Sequence, residues 1–118
     1  MFTATSLLFV PGSRPDRFAK ARASGAGLVV IDLEDAVGPA DKDDARAAAL
    51  EAAGADPAYG IRINGVATRA GIADLHHLAD ADRLPDAMMV PMVEDAAQLD
   101  VVAGALGDRC PDLMPLVE

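Results

Sequence analysis

The chain has 118 residues, 52% of them apolar and 3% aromatic, with no tryptophan, which suffices for the core of one domain and is too short for two. Its net charge is −9, and its Lys and Arg residues form no run with interleaved aromatics, which argues against nucleic acid or an anionic membrane as partner. No apolar segment approaches the ~20 residues of a membrane span, and the start Met1-Phe-Thr-Ala-Thr5 lacks the basic residues of a signal peptide, so the expected location is the cytoplasm.

In chain order, a first short apolar run covers Ser6 to Val10 and reads as a buried strand. Pro15 to Ser24 has helical spacing behind an opening proline. Leu28 to Ile31 is the second strand. Ala40 to Ala53 is the second helix, whose acidic run Asp41-Lys-Asp-Asp44 falls in the first turn, where negative charge suits the helix dipole and faces solvent. Gly60 to Ile63 is a third strand and Ala70 to Leu78 a third helix. That helix carries His76-His77, adjacent residues that point about 100° apart and are expected on the surface rather than on a shared ion. Ala87 to Val90 is the fourth strand, Ala96 to Leu106 the fourth helix and Leu113 to Val117 the fifth strand. Met88, Met89, Met92 and Met114 are expected to fill the core of strands four and five. Cys110, in the turn Gly107-Asp-Arg-Cys-Pro111, has no second thiol to pair with and is expected to be structural.

The resulting βαβαβαβαβ order, with near-continuous apolar strands, predicts an α/β fold: a parallel sheet covered by helices. A barrel and a doubly wound sheet both satisfy it. The strand-to-strand period of roughly 25 to 30 residues is close to the ~31 of an eight-unit (β/α)8 TIM barrel, so the barrel is favoured. Residues 1–118 then amount to about the first four βα units plus strand five, one truncated domain that is the first half of a barrel.

In such a barrel the C-terminal strand ends carry the chemistry. Four of them here hold polar groups: Val10-Pro-Gly-Ser-Arg14, Asp32-Leu-Glu-Asp35, Arg62-Ile-Asn64 and Glu118. Carboxylates facing one arginine across a barrel mouth could hold a divalent cation together with an anionic carbonyl substrate, because hard cations choose oxygen ligands. Arg62 is the sharpest signal, since a guanidinium inside an apolar strand needs anionic partners. Glu34 and Asp35 could also belong to a helix-capping connection.

The segments Leu7-Leu-Phe-Val-Pro-Gly-Ser-Arg-Pro-Asp-Arg-Phe18, Val30-Ile-Asp-Leu-Glu-Asp-Ala36, Arg62-Ile-Asn-Gly65 and Pro115-Leu-Val-Glu118 closely resemble the citrate lyase beta-subunit-like CoA-ester lyases of the HpcH/HpaI aldolase superfamily. The resemblance covers the whole chain as the first half of the family's barrel. It implies magnesium-dependent cleavage of 3-hydroxyacyl thioesters such as citryl-CoA or malyl-CoA, carried on free CoA or on an acyl carrier, to an acyl-CoA and a 2-oxo acid.

Residue by residue, the resemblance implies that Arg62 binds the substrate carboxylate and carbonyl and that Glu118 is the first magnesium ligand. Glu34 and Asp35 match the acidic pair that orders the metal's waters and orients Arg62. Pro11, Gly12, Arg14 and Lys20 fall where the family meets the CoA or phosphopantetheine arm. The family has Pro-Lys-Val-Glu after strand four, whereas this chain has Pro91-Met-Val-Glu94. The second magnesium ligand is an aspartate after strand six. A homo-oligomer or a complementing second half is the expected partner. The alternatives are a non-catalytic truncated or split fragment, and a metal-dependent pyruvate-type aldolase that has no need of the CoA-arm residues.

Overall fold

The computed structural model describes residues 6–117. Its strands are β1 (Leu7–Pro11), β2 (Leu28–Asp32), β3 (Gly60–Arg62), β4 (Ala87–Val93) and β5 (Asp112–Val117), and its helices are α1 (Phe18–Ala23), α2 (Lys42–Ala55), α3 (Arg69–Asp80) and α4 (Ala96–Leu106). Single 3-10 turns, each opened by a proline, lead into α1 and α2. The proline supplies the helical φ and removes an N–H that has no intrahelical partner there.

All neighbouring strands are parallel, and their order in the sheet is β1-β2-β3-β4-β5. A doubly wound sheet reverses strand order midway and places helices on both faces. Here the order never reverses. Helix residues Ala21, Ala49, Leu75 and Val102 join one buried cluster with Val29, Ile31, Ile61 and Met88 of the sheet. Alternation sends Leu28, Val30, Ala87 and Met89 to the opposite face, where Met114 and Leu116 pack against them. Helices on one face and a second, concave apolar layer on the other are the wall and interior of a barrel.

The helices sit close to the sheet because their contacting residues are small. On α2 the buried positions Ala45, Ala49 and Ala53 recur every fourth residue and form one face. α4 opens with a capping box, in which the Asp95 side chain accepts from the backbone and the Gln98 side chain accepts from the Asp95 N–H, and it closes at Gly107 with φ of 62°. Among the described residues no helix is long and apolar enough to cross a membrane.

The fourth strand departs from expectation. It continues past Val90 through a register irregularity to Val93, and Met92 in that stretch has φ of 54°, a left-handed value that costs a side-chain-bearing residue roughly 1 kcal/mol or more. Met88 and Met89 are core residues as expected, and Met114 is partly buried, but Met92 is 40% exposed. The irregularity turns it out of the sheet, so it is not core filler. The third strand ends at Arg62, one residue early, although Ile63 N–H still donates to the Met89 carbonyl.

One glycine is dictated by close approach. A Cβ on Gly71, in the first turn of α3, would lie 1.9 Å from the carbonyl oxygen of Gly65. Backbone cannot yield as a side-chain tip can. Gly71→Ala should therefore destabilise the fold by about 2 kcal/mol or more, measured as the shift in urea-unfolding midpoint; a midpoint within experimental error of wild type would contradict this packing.

Candidate active site

The site is built at the C-terminal ends of β1, β2 and β3. Asp32 closes β2 and is in register with Pro11 of β1 and with Arg62 of β3. Strand alternation puts Asp32 on the same face as Leu28 and Val30, so the concave apolar layer ends in a charged one. Arg62 donates through Nε to Asp32 Oδ1 at 2.8 Å and through Nη2 to Asp32 Oδ2 at 2.6 Å, a bidentate pair. The backbone N–H groups of Glu34 and Ala36 donate to the same two carboxylate oxygens at 2.9 and 3.1 Å. Beneath the pair, the Arg62 guanidinium carbon lies 5.0 Å from the ring centroid of Phe9, a cation–π contact.

The two carboxylates near Arg62 are driven in opposite directions. Burial pushes Asp32 up, but the bonds from Arg62 and from the Glu34 and Ala36 amides outweigh it, and Asp32 sits below its ordinary 3.8. Glu34 Oε1 lies 3.9 Å from Arg62 Nε. Burial and the adjacent Asp35 raise Glu34 above its ordinary 4.5 despite the arginine. Arg62 itself is held above its usual range, first by its bonds to Asp32.

The loop after β2 is tied down by Lys42, the first residue of α2, whose Nζ donates to the carbonyls of Leu33 and Glu34 at 2.9 and 3.0 Å. A cleft of about 400 Å³ opens beside it, lined by Glu34, Asp35, Lys42, Asn64, Thr68 and Met92 among others. Behind its wall Arg46, Asp74 and Asn64 form a buried network. Arg46 Nε donates to Asp74 Oδ1 at 2.7 Å, and Asn64 donates to Asp74 Oδ2 through both its backbone N–H and Nδ2, each at 2.8 Å.

The sequence-derived candidates fall into three groups. Arg62, Glu34 and Asp35 meet at one mouth, with Glu34 partly buried and Asp35 exposed. The partner that orients Arg62 is Asp32 rather than the Glu34-Asp35 pair, because the strand register sets Asp32 directly opposite while Glu34 and Asp35 lie beyond the strand. Pro11 and Gly12 form the turn after β1. Gly12 N–H donates to the Asp32 carbonyl, and a Cβ there would meet Leu33 at 2.9 Å and Ala45 at 3.0 Å, so the turn needs glycine for packing. Arg14 is exposed and pairs with Asp16 through Nε and Nη2, and Lys20 is exposed on α1. Glu118 lies outside the described residues.

Asp32 and Asn64 stood within the polar strand-end segments without a role of their own, and Arg46 and Asp74 were not among the candidates. For Asp32 the signal was present: an acid closing one apolar strand and a base closing the next, which parallel pairing sets side by side. Of the remaining expectations, His76 and His77 are exposed or nearly so on α3, their rings edge to face. Cys110 is a half-buried thiol packed against the core and raised by burial. Asp43, from the acidic run, is exposed yet also accepts from Arg46 Nη1 at 2.9 Å. Among the described residues, no group of three His, Cys, Asp or Glu side chains is placed to hold a metal ion.

Because Asp32 titrates below its unfolded value, the stability it confers is complete above pH ~4 and is lost as pH falls through its folded value. Asp32→Asn leaves Arg62 partly buried without its anion and should cost about 3 kcal/mol near pH 7. That deficit should shrink as pH falls below ~4, where wild type loses the same pair. Urea unfolding at pH 7 and pH 3 tests both; an equal deficit at the two pH values would exclude the ionic origin.

The family profile described as HpcH/HpaI aldolase/citrate lyase matches residues 5–109. A (3S)-malyl-CoA thioesterase of Cereibacter sphaeroides is 39% identical over 107 residues, 87% of this chain and 37% of that protein. An L-malyl-CoA/beta-methylmalyl-CoA lyase of the same species is 44% identical over 101 residues, covering 80% of this chain and 31% of that protein. The solved citrate lyase beta subunit of Mycobacterium tuberculosis complexed with oxaloacetate and magnesium superposes with a TM-score of 0.77 at 40% identity, over 95% of this chain and 46% of that one. The CitE protein of that species, in complex with magnesium, acetoacetate and coenzyme A, gives 0.80 at 37% identity, over 99% and 41%. The chain thus spans about a third of the length of these curated relatives and has the TIM-barrel-type fold of the citrate lyase beta subunit over that part. With its strand-end arginine, its acidic partners and its sequential parallel sheet, the chain belongs to the HpcH/HpaI aldolase/citrate lyase family.

Proposed function

We propose that the chain is the N-terminal half of a magnesium-dependent carbon–carbon lyase that cleaves a 3-hydroxyacyl thioester, of the malyl-CoA or citryl-CoA type, to an acyl-CoA and a 2-oxo acid. The observation that carries this reading is the Arg62 fork, braced by Asp32 at the strand ends with Glu34 and Asp35 beside it. The chain's similarity to a malyl-CoA lyase, a malyl-CoA thioesterase and a citrate lyase beta subunit supports it.

Retro-aldol cleavage removes the hydroxyl proton, breaks the carbon–carbon bond and leaves the electron pair on the α-carbon of the departing thioester as an enolate, which is then protonated. The hydroxyl carbon becomes the carbonyl of the 2-oxo acid. Asp32 accepts from Nε and from one N–H of Nη2 of Arg62; the other guanidinium N–H groups make no hydrogen bond among the described residues and can serve the substrate carboxylate and the developing carbonyl oxygen. The aromatic face of Phe9 and the Asp32 carboxylate fix the plane of the fork before substrate arrives.

The site's donors fit magnesium in kind, since Glu34 and Asp35 are hard oxygen groups with no Cys or His competing in the cleft. In number they fall short among the described residues. Glu118 would be the direct ligand, with Glu34 and Asp35 holding its waters and a further ligand coming from the part of the family barrel this chain does not span. Bound magnesium would supply a Lewis acid at the oxygens of the 2-oxo acid. Pro11, Gly12, Arg14 and Lys20 would border the CoA arm; Arg14 would exchange Asp16 for a phosphate there. The partner is a complementing second half or a further copy of the chain.

The test is to incubate the purified chain, alone and with any polypeptide encoded immediately downstream, with magnesium and either malyl-CoA or citryl-CoA. Acyl-CoA and 2-oxo acid should form in equal amounts and only with magnesium. Release of free CoA with the carbon skeleton intact would make the protein a thioesterase instead. In the active assembly Arg62→Lys should lower kcat/KM at least ~100-fold, because a point charge cannot replace a bidentate fork; near-normal turnover would remove Arg62 from the chemistry.

A further inference from the structure

Asn64 is not used by the chemistry above, yet it lines the same cleft as Glu34 and Asp35 while being 4% exposed. Its orientation is dictated from behind. Oδ2 of Asp74 receives two N–H donors, from the Asn64 backbone and from Asn64 Nδ2, and Oδ1 receives the Arg46 guanidinium. With both oxygens engaged as acceptors, Asp74 can meet only a donor from Asn64, so Nδ2 points inward and Oδ1 points away. Among the described residues the side-chain bond of Asn64 runs through Nδ2 and none runs through Oδ1, which leaves Oδ1 as the acceptor that this cleft-lining residue can offer a ligand.

A fixed acceptor on a cleft wall selects a ligand that brings a donor. In the acyl group of a 3-hydroxyacyl thioester, the carboxylate and the thioester carbonyl are acceptors, and the hydroxyl is the one donor. We infer that Asn64 Oδ1 binds the substrate hydroxyl, and that Asp74 and Arg46 are positioning residues that set the polarity of the Asn64 amide. The inference rests on the lyase reading and adds a residue to it. Cleavage turns the hydroxyl into a carbonyl, an acceptor that has no bond to make with Oδ1. The contact therefore favours the intact thioester over the 2-oxo acid and acts on binding more than on the rate of the bond-breaking step.

The experiment compares the binding of malyl-CoA with that of succinyl-CoA, which lacks the hydroxyl, to the chain combined with its complementing half. Asn64→Ala should weaken malyl-CoA binding about tenfold, the worth of one hydrogen bond, raise KM without lowering kcat, and leave succinyl-CoA affinity within about twofold. Equal losses for the two thioesters would overturn the inference while leaving the lyase reading intact. Binding of neither thioester by the wild-type assembly would overturn the lyase reading and the hydroxyl contact with it. Asp74→Asn supplies a second arm, because an amide at position 74 can donate as well as accept and frees Asn64 to flip. The Nδ2 protons of Asn64 should exchange slowly in the wild-type NMR spectrum and quickly in that variant. Fast exchange already in the wild type would overturn the positioning role of Asp74 whatever the substrate.

Discussion

Everything at the strand ends depends on the bond between Arg62 and Asp32. A guanidinium at the top of an apolar layer must be given an anion or it opposes folding. Parallel register provides that anion from the adjacent strand, and the Glu34 and Ala36 amides satisfy the carboxylate's remaining lone pairs. Removing a charged pair of this kind outright can be harmless to stability, whereas removing one partner is costly. A fold that keeps the pair therefore keeps it for position, and the position is at the barrel mouth.

A second constraint works one layer further out. The loops carrying Glu34 and Asn64 are each held by a cationic side chain of α2: Lys42 on the Leu33 and Glu34 carbonyls, and Arg46 through Asp74 on Asn64. For those bonds to form, α2 must approach the sheet closely, which its buried alanines allow, and α3 must approach the Gly65 carbonyl, which Gly71 allows. Small residues in the helices thus govern the placement of charged ones in the loops. The chain of cause runs from packing to chemistry without passing through the strands.

Sequence pattern revealed the strands, the helices and the barrel architecture, because each is a periodicity of apolar residues; it overstated burial at β1 and β5, the two edges of the sheet, where Leu7, Leu8, Phe9 and Val117 are exposed. It also revealed Arg62, since a base inside an apolar run is conspicuous. It missed Asp32 as the partner because Asp32 stands beside Glu34 and Asp35, and only register distinguishes three acids within four positions. Arg46 and Asp74 were hidden for a different reason. On amphipathic helices a charged residue reads as solvent-facing, and these two are buried only because they meet each other. Met92 was misread because the irregularity that turns it outward is a backbone event with no signature in hydrophobicity.

Met92, where the resemblance implies a lysine, bears directly on Glu34 in the cleft. A lysine there would place a cation in the cleft that Glu34 lines and would oppose the upward push on Glu34. Met92 contributes none, and its methyl group lies over Gly65, where a Cβ would come within 2.3 Å of it. Glu34 is accordingly left to burial and to Asp35, which raise it, while Asp32 is held low by the arginine. Two carboxylates two residues apart are thereby pushed to opposite sides of their usual range. Asp32 has both oxygens committed and stays ionised, a fixed brace. Glu34 holds its proton more readily than a free glutamate, and the uncharged methionine leaves that upward push unopposed where a lysine would oppose it.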